Sequence, residues 1–135
     1  MAFFCEAALA ASESVKFTIP GRLPGLNDMT DAARRNRYES AKLKKEYTEL
    51  VAWCAKRARL PRFDRVDLMI TWYEPNQKRD KDNIMAGQKF ILDGLVMAGV
   101  LSNDGWKQIG DVTHRFRVDR ANPRIDVELI EVKAS

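Results

Sequence analysis

Three carboxylates and one lysine offer the chain its chemistry. Asp80 and Asp82 stand two residues apart, where an alternating strand pattern has given way to a turn. On an extended backbone alternate side chains point the same way, so the two carboxylates can converge on one ion. A hard divalent cation such as Mg²⁺ takes oxygen ligands, keeps several waters and is held by one or two carboxylates plus substrate phosphates. Asp104 is the expected third ligand, because a helical stretch after Asp82 and then a tight return bring the Asn103-Asp104 loop back to the sheet. Lys89, seven residues after Asp82, lies two helical turns on, where its ammonium can face the carboxylates and neutralise a phosphate oxygen. Structural readings compete at each position: Asp82 as a helix N-cap, Asp80 as a solvated turn residue between Arg79 and Lys81, Lys89 as a solvated lysine, and Asp93 as a solvated or salt-bridged one.

Other catalytic chemistries find no support. The one histidine, His114, lies inside an alternating strand and no Gly-Xaa-Ser-Xaa-Gly elbow exists, so a nucleophilic triad is excluded and His114 is expected to pack against the core. Two distant cysteines and one histidine make no zinc set. The calcium-loop pattern fails because Ile84 occupies the third oxygen position after Asp80 and Asp82, and neither Gly-rich phosphate fingerprint is present.

A second constellation is basic. Arg34, Arg35, Arg37, Lys42, Lys44 and Lys45 crowd one helical segment, with Asn36 and Tyr38 interleaved as polar groups suited to sugar-phosphate contacts. A charged helix face is usually only solvated, but few acidic residues answer this one, which favours phosphate binding. Arg115 and Arg117, by contrast, are expected to pair with Asp126 and Glu128 across a hairpin.

The elements that must position these residues follow from periodicity. Val15, Phe17 and Ile19 alternate with polar residues up to Pro20-Gly21, giving a first strand. From about Asp28 the pattern turns helical, with Leu43, Tyr47, Leu50, Val51, Cys54 and Ala58 on one face, until Pro61. Val66, Leu68, Ile70 and Trp72 mark a second strand that ends at Glu74-Pro75-Asn76. Asp82 or Asn83 then caps a helix carrying Ile84, Ile91, Leu95 and Ala98, weakened by Gly87 and Gly94 and terminated by Gly99. Val112, His114, Phe116 and Val118 form a third strand. Asn122-Pro123 turns it into a fourth, Ile125, Val127 and Leu129, paired back as a hairpin.

Composition sets the outer bounds. The 135 residues carry 23 Lys plus Arg against 19 Asp plus Glu, a net charge of +4 that suits a soluble enzyme as well as a nucleic-acid binder. At 45% apolar the chain can build a core without staples, which excludes disorder and a disulfide scaffold. Cys5 and Cys54 are expected to remain free thiols in a reducing, cytoplasmic compartment. No apolar run is long enough to span a membrane, and Met1 to Ala11 lacks the basic start of a signal peptide. The expected organisation is an N-terminal extension, residues 1–14, before a single domain, residues 15–135.

Asp80-Lys81-Asp82-Asn83-Ile84, Lys89-Phe90-Ile91-Leu92-Asp93-Gly94-Leu95 and Gly99-Val100-Leu101-Ser102-Asn103-Asp104, in that order, resemble the RusA family of Holliday-junction resolvases. These are small endodeoxyribonucleases common in bacterial genomes and prophages. Leu23-Pro24-Gly25-Leu26-Asn27 and Ala41-Lys42-Leu43-Lys44-Lys45 resemble a subgroup of it, so the likeness runs from about Val15 to Val132. It implies an α+β fold with a small mixed sheet of about four strands flanked by helices, a homodimer, and a Mg²⁺ or Mn²⁺ site on Asp80, Asp82 and Asp104. The family's best-known members carry an acidic pair where this chain has Asn103-Asp104, and a catalytic lysine one turn after the second aspartate, where this chain has Ala86; Lys89 follows three residues later.

The expected activity is therefore that of a metal-dependent, structure-selective endodeoxyribonuclease. It would resolve four-way DNA junctions by paired symmetric nicks in recombination and repair, with the basic helix gripping the arms and no organic cofactor or membrane involved. Two alternatives stand beside it: a junction- or duplex-binding protein of prophage origin without nuclease activity, and a nuclease that prefers RNA or flaps.

Overall fold

A computed structural model describes residues 14–133. The expected extension lies outside the described residues except for Ser14, which opens the first strand. Four strands, β1 (Ser14–Pro20), β2 (Val66–Glu74), β3 (Ile109–Val118) and β4 (Arg124–Glu131), form one mixed sheet in the order β1-β4-β2-β3. β4 runs antiparallel to both β1 and β2, and β3 runs parallel to β2. This is the α+β architecture expected.

Alternation decides which face of the sheet is dry. Phe17, Ile19, Val66, Leu68, Ile70, Trp72, Ile125, Val127 and Leu129 all point to one side and are buried. They meet Val51, Cys54 and Ala55 of helix α2 (Arg37–Arg57) and Phe90, Ile91 and Leu95 of helix α4 (Gln88–Met97) in one core. At Gly94 the two helices approach closely: a Cβ there would lie 2.5 Å from Val51 Cγ1. The glycine that weakens α4 by propensity is thus what lets it pack.

Two expected helices each divide in two. The first segment splits into α1 (Leu26–Arg35) and α2 at Asn36, whose backbone is extended and whose Oδ1 accepts a hydrogen bond from the Glu39 amide at 2.8 Å. Asn36 is therefore an N-cap, a use that an Asn followed three residues later by Glu signals. Ala58, expected on the core face, is exposed and caps the C-terminus of α2. The second segment splits into α3 (Lys81–Met85) and α4 at Ala86-Gly87, where a Gly87 Cβ would meet Leu23 Cβ and the Trp72 ring at 3.2 Å. Gly99, at φ +79°, ends α4 as expected.

The expected β3–β4 hairpin does not form. β4 inserts between β1 and β2, so β2 separates it from β3, and the proposed pairing of Arg115 and Arg117 with Asp126 and Glu128 does not occur. The Asn122-Pro123 turn is present, but it carries the chain past the neighbouring strand. Arg117 instead donates to the carbonyl of Phe116. Asp126 accepts from Thr18 at 2.9 Å and lies 3.7 Å from Arg124.

Candidate active site

The period-two burial of β2 does not stop at Trp72: it carries Glu74 into the interior, where only 5% of the residue is exposed. A buried carboxylate needs paired cations and donors. Arg79 supplies a fork, Nη2 to Oε2 at 2.8 Å and Nε to Oε1 at 3.2 Å, and Arg22 adds Nη2 to Oε1 at 3.0 Å. Arg79 also donates to the Leu23 carbonyl at 3.2 Å. The turn from Pro75 to Asp80 is thereby pinned to the end of β2 and to the entry of α1.

Asp80 ends that turn in extended conformation and opens α3 without a side-chain cap bond, so its carboxylate is uncommitted. Asp82 sits in the first turn of α3, where Oδ1 accepts from the Asn83 amide at 2.9 Å. The competing role of Asp82 as an N-cap does not hold, since Asp82 lies inside the helix and Asp80 occupies the cap position by its backbone alone. Both aspartates are exposed and line one open pocket, rimmed by Lys81, Ile84, Phe116, Arg117 and Val118. The Lys81 ammonium lies 5.4 Å from the centre of the Phe116 ring. Asn83 locks the platform from behind: its Oδ1 accepts from the Asn27 amide at 3.0 Å, and a Cβ on Gly25 would collide with the same oxygen. The Gly25 and Asn27 positions thus serve the turn that carries the aspartates.

Asp104 is elsewhere. It precedes β3, and β3 begins beside the start of β2, with Val66 donating to the Gln108 carbonyl at 2.9 Å and Arg65 to that of Trp106 at 2.8 Å. Asp80 and Asp82 follow the other end of β2. Nine residues of strand intervene, which at about 3.3 Å per residue is roughly 26 Å. The Asn103-Asp104 loop does return to the sheet, but to its opposite end. Among the described residues no group of three or more His, Cys, Asp or Glu side chains is placed to hold a metal ion. Lys89 pairs with Asp93 at 3.4 Å, one helical turn on, and does not line the pocket.

Two oxygen-only carboxylates in an open, cation-rimmed pocket fit a hard ion that takes its remaining ligands from water and phosphate. They provide part of an acid set. Lys81 and Arg117, which sequence reasoning passed over, line the same pocket as the two aspartates. Lys81 was hidden as the middle residue of Asp-Xaa-Asp, and Arg117 by the wrong strand partner.

The basic residues are exposed as expected: Arg34, Arg35, Arg37, Lys42, Lys44 and Lys45 lie toward solvent and none forms an ion pair with another described residue. Arg35 and Lys42 line a broad groove that also holds Arg22, Lys78 and Arg79, and so leads to the Asp80 turn. Acidic groups lie in it too, Asp28, Asp31, Glu39 and Glu46 among them, so the positive path is narrower than the sequence suggests.

His114 packs against the core as expected. Its Nδ1 accepts from Trp72 Nε1 at 2.9 Å and its Nε2 is 2.9 Å from Gln88 Oε1, which fits the tautomer protonated at Nε2. Burial holds its pKa below the usual histidine value. Cys54 is a buried free thiol whose pKa burial raises, against the opposing charge of Arg57. No helix among the described residues is long and apolar enough to cross a membrane.

A family described as endodeoxyribonuclease RusA matches residues 23–130, most of the chain. The match takes in Gly25, Glu74, Arg79, Asp80, Asp82 and Asp104 together. No curated protein matches the chain.

Proposed function

Because the chain belongs to the RusA family of endodeoxyribonucleases, we propose that it is a homodimeric, Mg²⁺-dependent enzyme that resolves four-way DNA junctions by paired nicks, with Mn²⁺ able to substitute. The observation that carries this reading is the pocket in which Asp80 and Asp82 stand together under Lys81 and Arg117. Asp80 and Asp82 would hold the ion; when bound, it supplies Lewis acidity and an activated water for in-line attack on phosphorus. Lys81 and Arg117 neutralise the non-bridging oxygens and the charge that builds on them. Arg79 keeps the turn in place through Glu74. Arg35, Lys42 and Lys78 position the backbone of an arm. Phosphate contacts carry little base information, so branch shape rather than sequence governs recognition. A two-fold dimer presents two identical sites to a substrate with its own approximate two-fold axis, which accounts for paired cutting.

The separation of Asp104 favours a second reading, a protein that binds junctions without cutting them, because one chain alone holds only two of the three acids. A synthetic four-way junction, a linear duplex and a flap, each with Mg²⁺, Mn²⁺ or EDTA, separate the two. The enzyme reading expects paired nicks on the junction, lost in EDTA and in Asp80→Asn while junction binding survives. Binding without cleavage in either metal overturns it.

A further inference from the structure

We propose that Asn83 is a positioning residue for the metal site: it caps helix α1 from α3, and that bond holds the Asp80–Asp82 segment in its metal-binding conformation. This rests on the endonuclease reading above and adds to it which residue outside the ligand set gives the aspartate pair its metal affinity.

Helix α1 begins without a side-chain cap of its own. Its N-cap position is Gly25, which has nothing to offer the free amides of the first turn. Asp28 turns back to accept from the Gly25 amide at 2.9 Å. The amide of Asn27, the second residue of α1 and one that an N-cap side chain ordinarily serves, is met instead by Asn83 Oδ1 at 3.0 Å, from 56 residues away. The fit excludes a cap from α1 itself: a Cβ on Gly25 would lie 2.4 Å from Asn83 Oδ1 and 2.9 Å from the Asn83 carbonyl oxygen. Gly25 has φ −91°, a backbone open to any residue, so its missing side chain answers to the approach of Asn83 and not to a turn.

The tie continues to the metal ligand. The Asn83 amide donates to Asp82 Oδ1 at 2.9 Å. Residue 83 therefore holds α1 with its side chain and Asp82 with its backbone. On the other side of the aspartates, Arg79 donates to the Leu23 carbonyl at 3.2 Å. Asp80 and Asp82 thus lie between two ties, at residues 79 and 83, to one short loop, residues 23–27. Both carboxylates are exposed, so core packing does not hold them. The five residues of α3 are too few to stand as a helix alone, and Asn is a weak helix former. Helix α1 also lines the groove through Asp28, Asp31 and Arg35, so the same bond fixes the metal pair relative to the path of a DNA arm.

Substitution at both sides of the contact tests this. Asn83→Ala removes the acceptor and leaves the aspartates and the groove cations in place. It should weaken Mn²⁺ binding by about 10-fold or more in calorimetry, the scale on which partners of metal ligands act. It should also lower kcat for junction cleavage, with KM and junction binding in EDTA unchanged. Asn83→Asp restores an acceptor at the same place and should bind Mn²⁺ at least as tightly as wild type. Gly25→Ala takes nothing from the turn but presses on Asn83 from α1, and should reproduce the loss. All are measured well below the unfolding transition, on protein shown to be folded by circular dichroism. An Asn83→Ala chain that is less stable yet binds Mn²⁺ like wild type overturns the positioning role, and so does an Asn83→Asp chain as weak as Asn83→Ala. Amide hydrogen exchange reads the cap without metal: the Asn27 amide should be protected in wild type and Asn83→Asp, and lose protection in Asn83→Ala. Equal protection in all three overturns the cap. Wild type that cuts nothing but binds Mn²⁺ with this dependence on residue 83 removes the endonuclease reading and keeps the role of Asn83.

Discussion

Removal of the Arg79 guanidinium tests whether the buried ion cluster, rather than local turn propensity, holds the aspartates in place. The Glu74 side chain is 6% exposed and makes three contacts to cations, two of them from Arg79. Arg79→Met keeps the aliphatic stem and leaves Glu74 with Arg22 alone, whose side chain is 39% exposed. Stripping a buried ion of its partner costs about 3–5 kcal/mol, and the remaining bond to Arg22 places this case at the lower end, about 3 kcal/mol. For a chain of this size that is a fall in Tm of roughly 10 °C. Urea and thermal unfolding give the single-variant cost. Glu74→Met combined with Arg79→Met removes both charges, fills similar volume, and should recover at least about 2 kcal/mol of the summed single losses in a double-mutant cycle. Recovery stays partial because the bond from Arg79 to the Leu23 carbonyl is gone in both. Junction cleavage should remain low in the double variant even as stability returns, because the turn that presents Asp80 is no longer pinned. An Arg79→Met protein as stable as wild type, or strictly additive single losses, would refute the cluster's role.

Gly94→Ala should destabilise by up to about 2 kcal/mol, the overpacking against Val51 of about 1–3 kcal/mol being offset by the roughly 1 kcal/mol that alanine gains in a helix; Val51→Ala in the same chain should return part of it, both read by urea unfolding. Lowering the pH from about 7 should cost stability from near 6.5 downward, because the folded chain holds His114 neutral, with its pKa lowered by burial, while the unfolded chain takes up the proton. Protonated Nδ1 also cannot accept from Trp72, so His114→Gln should flatten the slope in unfolding curves between about pH 7 and 5.5. Lys78→Ala should weaken junction binding and reduce the salt slope by about 0.9, because one phosphate is no longer neutralised, leaving the position of the nicks unchanged.

What the sequence made legible was local. β1 and β2 are readable from alternation because one face of each is dry, and Asp80 and Asp82 because their spacing needs only a few residues of backbone. The splits at Asn36 and Gly87 were readable in principle, from an Asn-Xaa-Xaa-Glu cap and from a glycine facing Trp72, but continuous apolar spacing masked them. β3 and β4 were found and mispaired: Asn122-Pro123 satisfies the hairpin signal, while the actual partners are set by β1 and β2, far away in the chain. The burial of Glu74 was visible as the next step of a period-two pattern. Its partners were not, because Arg22 reaches it from 52 residues away.

The place of Asp104 was the least legible feature, and topology explains why. A residue just after β2 and a residue just before its parallel neighbour β3 must lie at opposite ends of that strand pair, whatever the crossover between them looks like. Had β3 been antiparallel to β2, Asp80, Asp82 and Asp104 would have shared one end of the sheet and a single chain would hold the full acid set. The same short sequence motif therefore predicts a self-contained site for one strand direction and a divided one for the other. Parallel β2–β3 pairing selects the divided case.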